Sequence, residues 1–275
     1  MGNESCVKNK LEILISCMHE KDSSIAERSG ITGDALIINQ CDTEGISELS
    51  FGGNTIRRID TTQRGLSRSR NMAIENAKAE YCLLCDDDEL FELDYYEKIC
   101  AGFEGLPDAD IIVFRINNQP CKLPVGIYKL KYLQCLNVAS WQIAFRRESI
   151  VNSGVRFCVH MGAGSGNGCG EENKFLLDAM KKGLKIYHYP EEVASVKQEV
   201  STWFKGYDRK FFYQRGCATR HMLGLPVSAA YAVYYAVFKR NMYSKEISMS
   251  TALYEMLKGI INNDISKEEK QYERL

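Results

Sequence analysis

Apolar and polar positions alternate along the chain in blocks of two lengths. Short, mostly apolar runs recur at Leu11–Ser16, Ala35–Asn39, Tyr81–Cys85 and Asp110–Ile116. Runs of this length bounded by polar clusters predict strands buried on both faces. A short strand at Ile56–Ile59, another at Ser140–Arg146 and a last one at Leu184–Tyr187, ended by Pro190, complete the set. Between them, helical spacing predicts helices at about Asp22–Ser29, from Ser67 as N-cap to Ala77, at Asp94–Phe103, and at Glu171–Met180 with Gly183 as its C′ residue. Strand and helix alternate, which predicts an α/β fold. From Ser201 the pattern turns helical and aromatic. Pro226–Phe238 is apolar on nearly all sides and is followed by Lys239 and Arg240. That run is shorter than the ~20 residues a bilayer requires. It packs on the main domain or lies in a membrane interface, where tyrosines and flanking cations are favoured.

The 275 residues suit one large α/β domain with a smaller extension, divided at 1–200 and 201–275. A net charge of -1 offers no basic face for nucleic acid. The N-terminus lacks a signal-peptide pattern, which predicts a cytoplasmic protein. The 11 cysteines are scattered through apolar segments and read as free thiols. Cys82 and Cys85 lie three apart in a strand and point to opposite faces, so they cannot chelate or pair. Cys158, His160 and Cys169 lack the fourth ligand of a structural zinc site.

The strand Tyr81–Cys85 runs straight into Asp86, Asp87, Asp88 and Glu89. In an open α/β sheet the C-terminal strand ends bind ligands. Four carboxylates this close repel, and a hard divalent cation with oxygen ligands, Mg²⁺ or Mn²⁺, relieves them. The alternative is an acidic helix N-terminus capped by Asp87 or Asp88. Upstream, Arg64, Arg68 and Arg70 crowd a helix start, where cations oppose the macrodipole; a phosphate explains them, a solvated basic face being the alternative. The run Gly162–Gly170 marks mobility or close backbone approach to a ligand, and Glu171 or Glu172 behind it could serve as a general base.

Three blocks together resemble the family 2 glycosyltransferases, which have the nucleotide-sugar-binding GT-A fold. They are RGLSRSRNMAIENAKAEYCLLCDDDEL, GCGEENKFLLDAMKKGLKIYHYP and STWFKGYDRKFFYQRG. The last, with DADIIVFRI, is similar to bacterial capsule and O-antigen transferases. The resemblance implies a Rossmann-like, mixed and mostly parallel sheet flanked by helices, with a C-terminal helical extension. It implies inverting transfer of a sugar from a nucleoside-diphosphate donor, UDP first, to a hydroxyl of a glycan or lipid-linked acceptor. It places Asp86 and Asp87 at the nucleotide, Asp88 with Asp86 at a divalent cation, and Arg70 near the nucleotide. Glu172 stands where the family has its catalytic aspartate, with Glu171 before it as the alternative base. Asn39 and Gln40 stand where the family has two acids, the second of which reads the base; an amide offers both donor and acceptor and can still pair with uracil, so both remain candidates at the nucleotide. The competing class is a catalytically silent nucleotide-sugar-binding module, which would bind nucleotide without transfer.

Overall fold

The computed structural model describes residues 10–51, 53–197 and 206–266. The chain forms two compact units, one of Met1–Phe157 with Glu172–Glu199, the other of Cys158–Glu171 with Val200–Leu275.

The first unit is built on a ten-stranded mixed sheet. Its strands are β1 (Leu11–Met18), β2 (Asp34–Gln40), β3 (Gly45–Phe51), β4 (Asn54–Thr61), β5 (Tyr81–Asp86), β6 (Glu89–Phe91), β7 (Ile111–Ile116), β8 (Tyr128–Lys129), β9 (Ile143–Arg146) and β10 (Ile186–Val196). They lie in the order β3-β4-β2-β1-β5-β9-β7-β10-β6, with β8 on β10. β4, β2, β1 and β5 are parallel neighbours, and β10 runs parallel to β7. β9 is antiparallel to both β5 and β7. The expected mixed, mostly parallel GT-A sheet with flanking helices is present.

Helices α1 (Ile25–Arg28), α2 (Leu66–Asn76), α3 (Tyr95–Gly105), α4 (Arg147–Ser153) and α5 (Glu171–Lys181) connect the strands. One core gathers Leu11, Ile13 and Ile15 of β1, Leu83 and Cys85 of β5, and Tyr95, Ile99 and Phe103 of α3. Leu14, Leu36 and Leu84 are buried as well but lie outside that cluster. Cys85 belongs to the cluster and Cys82 does not, although both are buried, as a period of two demands.

Several local expectations need correction. α2 starts two residues earlier than an N-cap at Ser67 allows, because Gly65, at φ 112, is its N-cap and donates its N–H to Gln40 Oε1 at 2.7 Å. Only Gly relaxes into that backbone region at no steric cost. The helix over Asp22–Ser29 shrinks to Ile25–Arg28. Ser140–Gln142 is a 3-10 turn, and the strand begins at Ile143. β10 continues past Pro190, because the register shifts between His188 and Glu192 and that irregularity accommodates a residue without N–H.

The second unit is helical: α6 (Arg209–Phe238), α7 (Arg240–Tyr243) and α8 (Met249–Asn262). Phe212, Ala232, Tyr235, Tyr243, Met256 and Ile260 form its core. α6 kinks at Gly224 (φ 76, ψ 174), two residues before Pro226. The backbones of α6 and α8 meet at two glycines. A Cβ on Gly216 would strike the Met256 carbonyl, and one on Gly259 the Tyr213 carbonyl.

Candidate active site

The parallel register delivers the C-terminal ends of four strands to one edge. Cys17 of β1 pairs with Asn39 of β2, Asn39 with Asp60 of β4, and Ser16 with Asp86 of β5. This is the edge at which open α/β sheets hold ligands.

At the β2 end, Asn39 is fully buried. Its Oδ1 accepts from the Glu20 N–H at 2.9 Å. Its Nδ2 donates to the Glu20 carbonyl at 3.0 Å and to Asp60 Oδ1 at 2.6 Å. The amide is therefore committed to the turn after β1, where His19 adopts φ 54. Gln40 is buried too, and its Oε1 sets the start of α2 through Gly65. Burial pushes the Asp60 carboxyl up, but hydrogen bonds from Arg58 and Asn39 outweigh it and hold Asp60 below the usual carboxylate range. Asp60 and Glu20 carry no sequence signal of their own, since each is a single acid at the edge of a weak pattern.

At the β5 end, Arg70 is 1% exposed and its Nη2 donates to Asp86 Oδ1 at 2.7 Å. It also lies over the Phe157 ring at 5.5 Å. Arg64 pairs instead with Asp42. Arg68, half-buried, makes no ion pair among the described residues. The second oxygen of Asp86 accepts from Ser140 Oγ at 3.1 Å, and its N–H is bound by Glu89 Oε1 at 2.7 Å. Glu89 is fully buried, and its Oε2 has no hydrogen-bond partner. Burial, then the charge of Asp86, drives the Glu89 carboxyl well above the usual range. Desolvation at the turn and repulsion from Asp86 and Asp88 raise Asp87. Desolvation and the Asp86 charge raise Asp88.

The turn thus concentrates negative charge on oxygen donors alone, which suits a hard divalent cation. Among the described residues no three His, Cys, Asp or Glu side chains are arranged to hold an ion by themselves. An ion on Asp88 and Asp86 would complete its shell from a substrate and water.

A cavity of ≈ 320 Å³ is lined by Gln119, Lys122, Trp141, Gln142, Glu172 and Asn173, among others. That volume is at the lower end of small-molecule pockets. Ser140, whose hydroxyl donates to Asp86, stands in the chain between Ala139 and Trp141, both of which line the cavity. Gln142 Nε2 fixes that wall to the Phe114 carbonyl at 2.9 Å. Asn173 Nδ2 donates to the Cys135 and Val138 carbonyls at 2.9 and 2.8 Å, which pins the start of α5 and with it Glu172. Glu171, one residue earlier, is 7% exposed. Ser140 and Asn173 are neutral residues that no motif distinguishes.

The remaining candidates fall elsewhere. His188 is buried on β10, with Nδ1 2.7 Å from the Gly126 carbonyl. Burial lowers its pKa, consistent with a neutral, structural ring. Lys197 Nζ donates to the Arg28 carbonyl. Gln198 and residues 201–205 of the third motif lie outside the described residues. The glycine-rich run folds back on itself, with Gly162 N–H on the Asn167 carbonyl at 2.9 Å.

Residues 37–163 match the family model described as Glycosyl transferase family 2. Among curated proteins none is significantly similar to this sequence. Among solved structures, the chain is similar to S. aureus TarS 1-349 in complex with UDP-GlcNAc, at 12% identity and a TM-score of 0.60, covering 96% of this chain and 92% of that one. The same protein in complex with UDP gives 12% identity and 0.57, covering 97% and 92%. A longer TarS structure gives 11% identity and 0.51, and this chain spans 44% of its length. At such identities the likeness shows the fold.

Proposed function

We propose that this chain is a metal-dependent, inverting glycosyltransferase. It moves a hexosyl-type sugar from a nucleoside-diphosphate donor, UDP first, to a hydroxyl of a glycan or lipid-linked acceptor in cytoplasmic steps of cell-surface polysaccharide synthesis. The observation that carries this reading is the bond from Ser140 to Asp86. Ser140 stands in the chain between Ala139 and Trp141, which line the same cavity as Glu172. The family match over residues 37–163 and the UDP-GlcNAc held by the TarS structure support the donor class.

The donor lies along the strand-end edge. Asp86, held by Arg70 and Ser140, orients the nucleotide side, and Arg68 is a half-buried cation free for phosphate. Asp88, with Asp86, would hold Mg²⁺ or Mn²⁺, which supplies positive charge to the departing diphosphate. Glu172 takes the acceptor hydroxyl proton as that oxygen bonds to the anomeric carbon. The bond from that carbon to the diphosphate oxygen breaks on the opposite face, and its electron pair leaves with the diphosphate. One displacement inverts the anomeric centre.

The test is nucleotide-dependent thermal stabilisation with and without Mn²⁺, followed by donor turnover in Glu172→Gln. A ligand at a hundredfold excess over Kd adds about 2.7 kcal/mol to apparent stability. The expected result is a Mn²⁺-dependent shift with UDP compounds, retained in Glu172→Gln while turnover is lost. Normal turnover in Glu172→Gln moves the base to Glu171. No shift with any nucleotide rejects the donor site, and a shift without turnover in the native chain supports a silent binding module.

A further inference from the structure

The outer face of the second half of α6 is apolar and open to solvent. Val227, Val233, Tyr234, Val237 and Phe238 are exposed by 46%, 50%, 45%, 48% and 74%. Their spacing places them along one side of the helix. The opposite side, Ser228, Ala232, Tyr235 and Ala236, is buried. A solvated helix face ordinarily carries charge, and residues 221–238 contain no Lys, Arg, Asp or Glu. Immediately beyond come Lys239 and Arg240, then exposed Met242 and Lys245. Lys239 Nζ lies over the Tyr234 ring at 5.9 Å, and Tyr234 stacks on Phe238 at 5.4 Å. The stripe therefore ends in an aromatic pair topped by a cation.

We propose that this face lies in the plane of an anionic lipid surface. α6 contains a stretch long and apolar enough to cross a bilayer by length and composition. Its inner side, however, is occupied by the core that Ala232 and Tyr235 share with Tyr243, Met256 and Ile260, so only one side is available. A one-sided apolar stripe with tyrosine and basic residues at its border fits an interfacial helix rather than a span.

Charge distinguishes lipid from a second copy of this chain. Residues 221–245 hold no acid, so two stripes packed together would leave Lys239, Arg240 and Lys245 without counter-charge. The acids of the described C-terminal segment are also engaged. Asp208 caps α6, Glu246 accepts from the Tyr207 N–H, Glu255 pairs with Arg209, and Asp264 accepts from the Tyr213 hydroxyl. Anionic lipid phosphates offer these cations a counter-charge in the same plane as an apolar phase. This proposal does not rest on the donor chemistry.

The experiment is flotation of the full chain with phosphatidylglycerol–phosphatidylcholine vesicles and with phosphatidylcholine alone, at low and high salt. The native chain is expected to float with the anionic vesicles, less so at high salt. Val233→Glu with Val237→Glu should abolish flotation at unchanged circular dichroism and Tm. Lys239→Gln with Arg240→Gln should weaken partition roughly thirtyfold, at about 1 kcal/mol for each cation. If the valine pair fails to fold, the cation pair decides alone. Absence of native flotation, or variants that float as the native chain does, overturns the proposal. So does a native dimer in light scattering that the valine variant converts to monomer, since the occupant is then a second copy.

Discussion

The Arg70 guanidinium stands 2.7 Å from the Asp86 carboxylate, with side-chain exposures of 1% and 22%. Asp86→Ala removes one charged partner of a cation buried this deeply. Removing one member of a buried pair costs about 3–5 kcal/mol. Because Asp86 keeps contact with water, a loss near 3 kcal/mol is expected. A lower urea midpoint at unchanged m-value shows it. A midpoint within experimental error of the native value shows that the other interactions of Arg70 hold it without Asp86.

The carboxyls of Asp88 and Glu89 titrate above their usual range because burial and the Asp86 charge disfavour ionisation. The folded state then binds more protons than the unfolded chain between the ordinary values, 3.8 and 4.5, and the raised ones. Stability without metal must fall as pH rises through that window and recover on acidification. Glu89→Gln, which keeps an acceptor for the Asp86 N–H, is expected to raise Tm near neutral pH and flatten the slope. Tm against pH for the two proteins is the measurement. A native curve that rises with pH across the window contradicts this account.

Ser140→Ala deletes the hydroxyl on Asp86. One hydrogen bond is worth about 1 kcal/mol net, so donor affinity should fall about fivefold. Isothermal titration with nucleotide and Mn²⁺ reads this directly. Unchanged affinity would detach Asp86 from the donor.

Gly216→Ala places a methyl group against the Met256 carbonyl. Backbone cannot yield as a side-chain tip can, and overpacking costs about 1–3 kcal/mol or more. Gly259→Ala should behave alike, since it meets the Tyr213 carbonyl. Amide exchange should show α6 and α8 losing protection while β1 and β5 keep theirs. Equal loss in β1 would show that the two units unfold together.

The sheet centre is legible in the sequence because β1, β2, β5 and β7 are buried on both faces and so read as mostly apolar runs without a period of two. β3 escapes the same reading, since Ile46 and Leu49 are 85% and 54% exposed and no apolar period marks it. Ser67 resembles a cap more than Gly65 does, but the cap is chosen by a tertiary bond from Gln40. In the site, acids and arginines announce themselves by charge, whereas Ser140 and Asn173 act through neutral hydrogen bonds between segments distant in sequence. Asn39 shows the same limit: its chemistry suggests a reader of ligands, while its partners are Glu20 and Asp60.

Asp86 is tied to Arg70 across 16 positions of chain and to Ser140 across 54. One carboxylate therefore fastens both α2 and the 3-10 turn to the end of β5. Displacing it would loosen the two ties at once, although the segments they hold lie far apart in the chain.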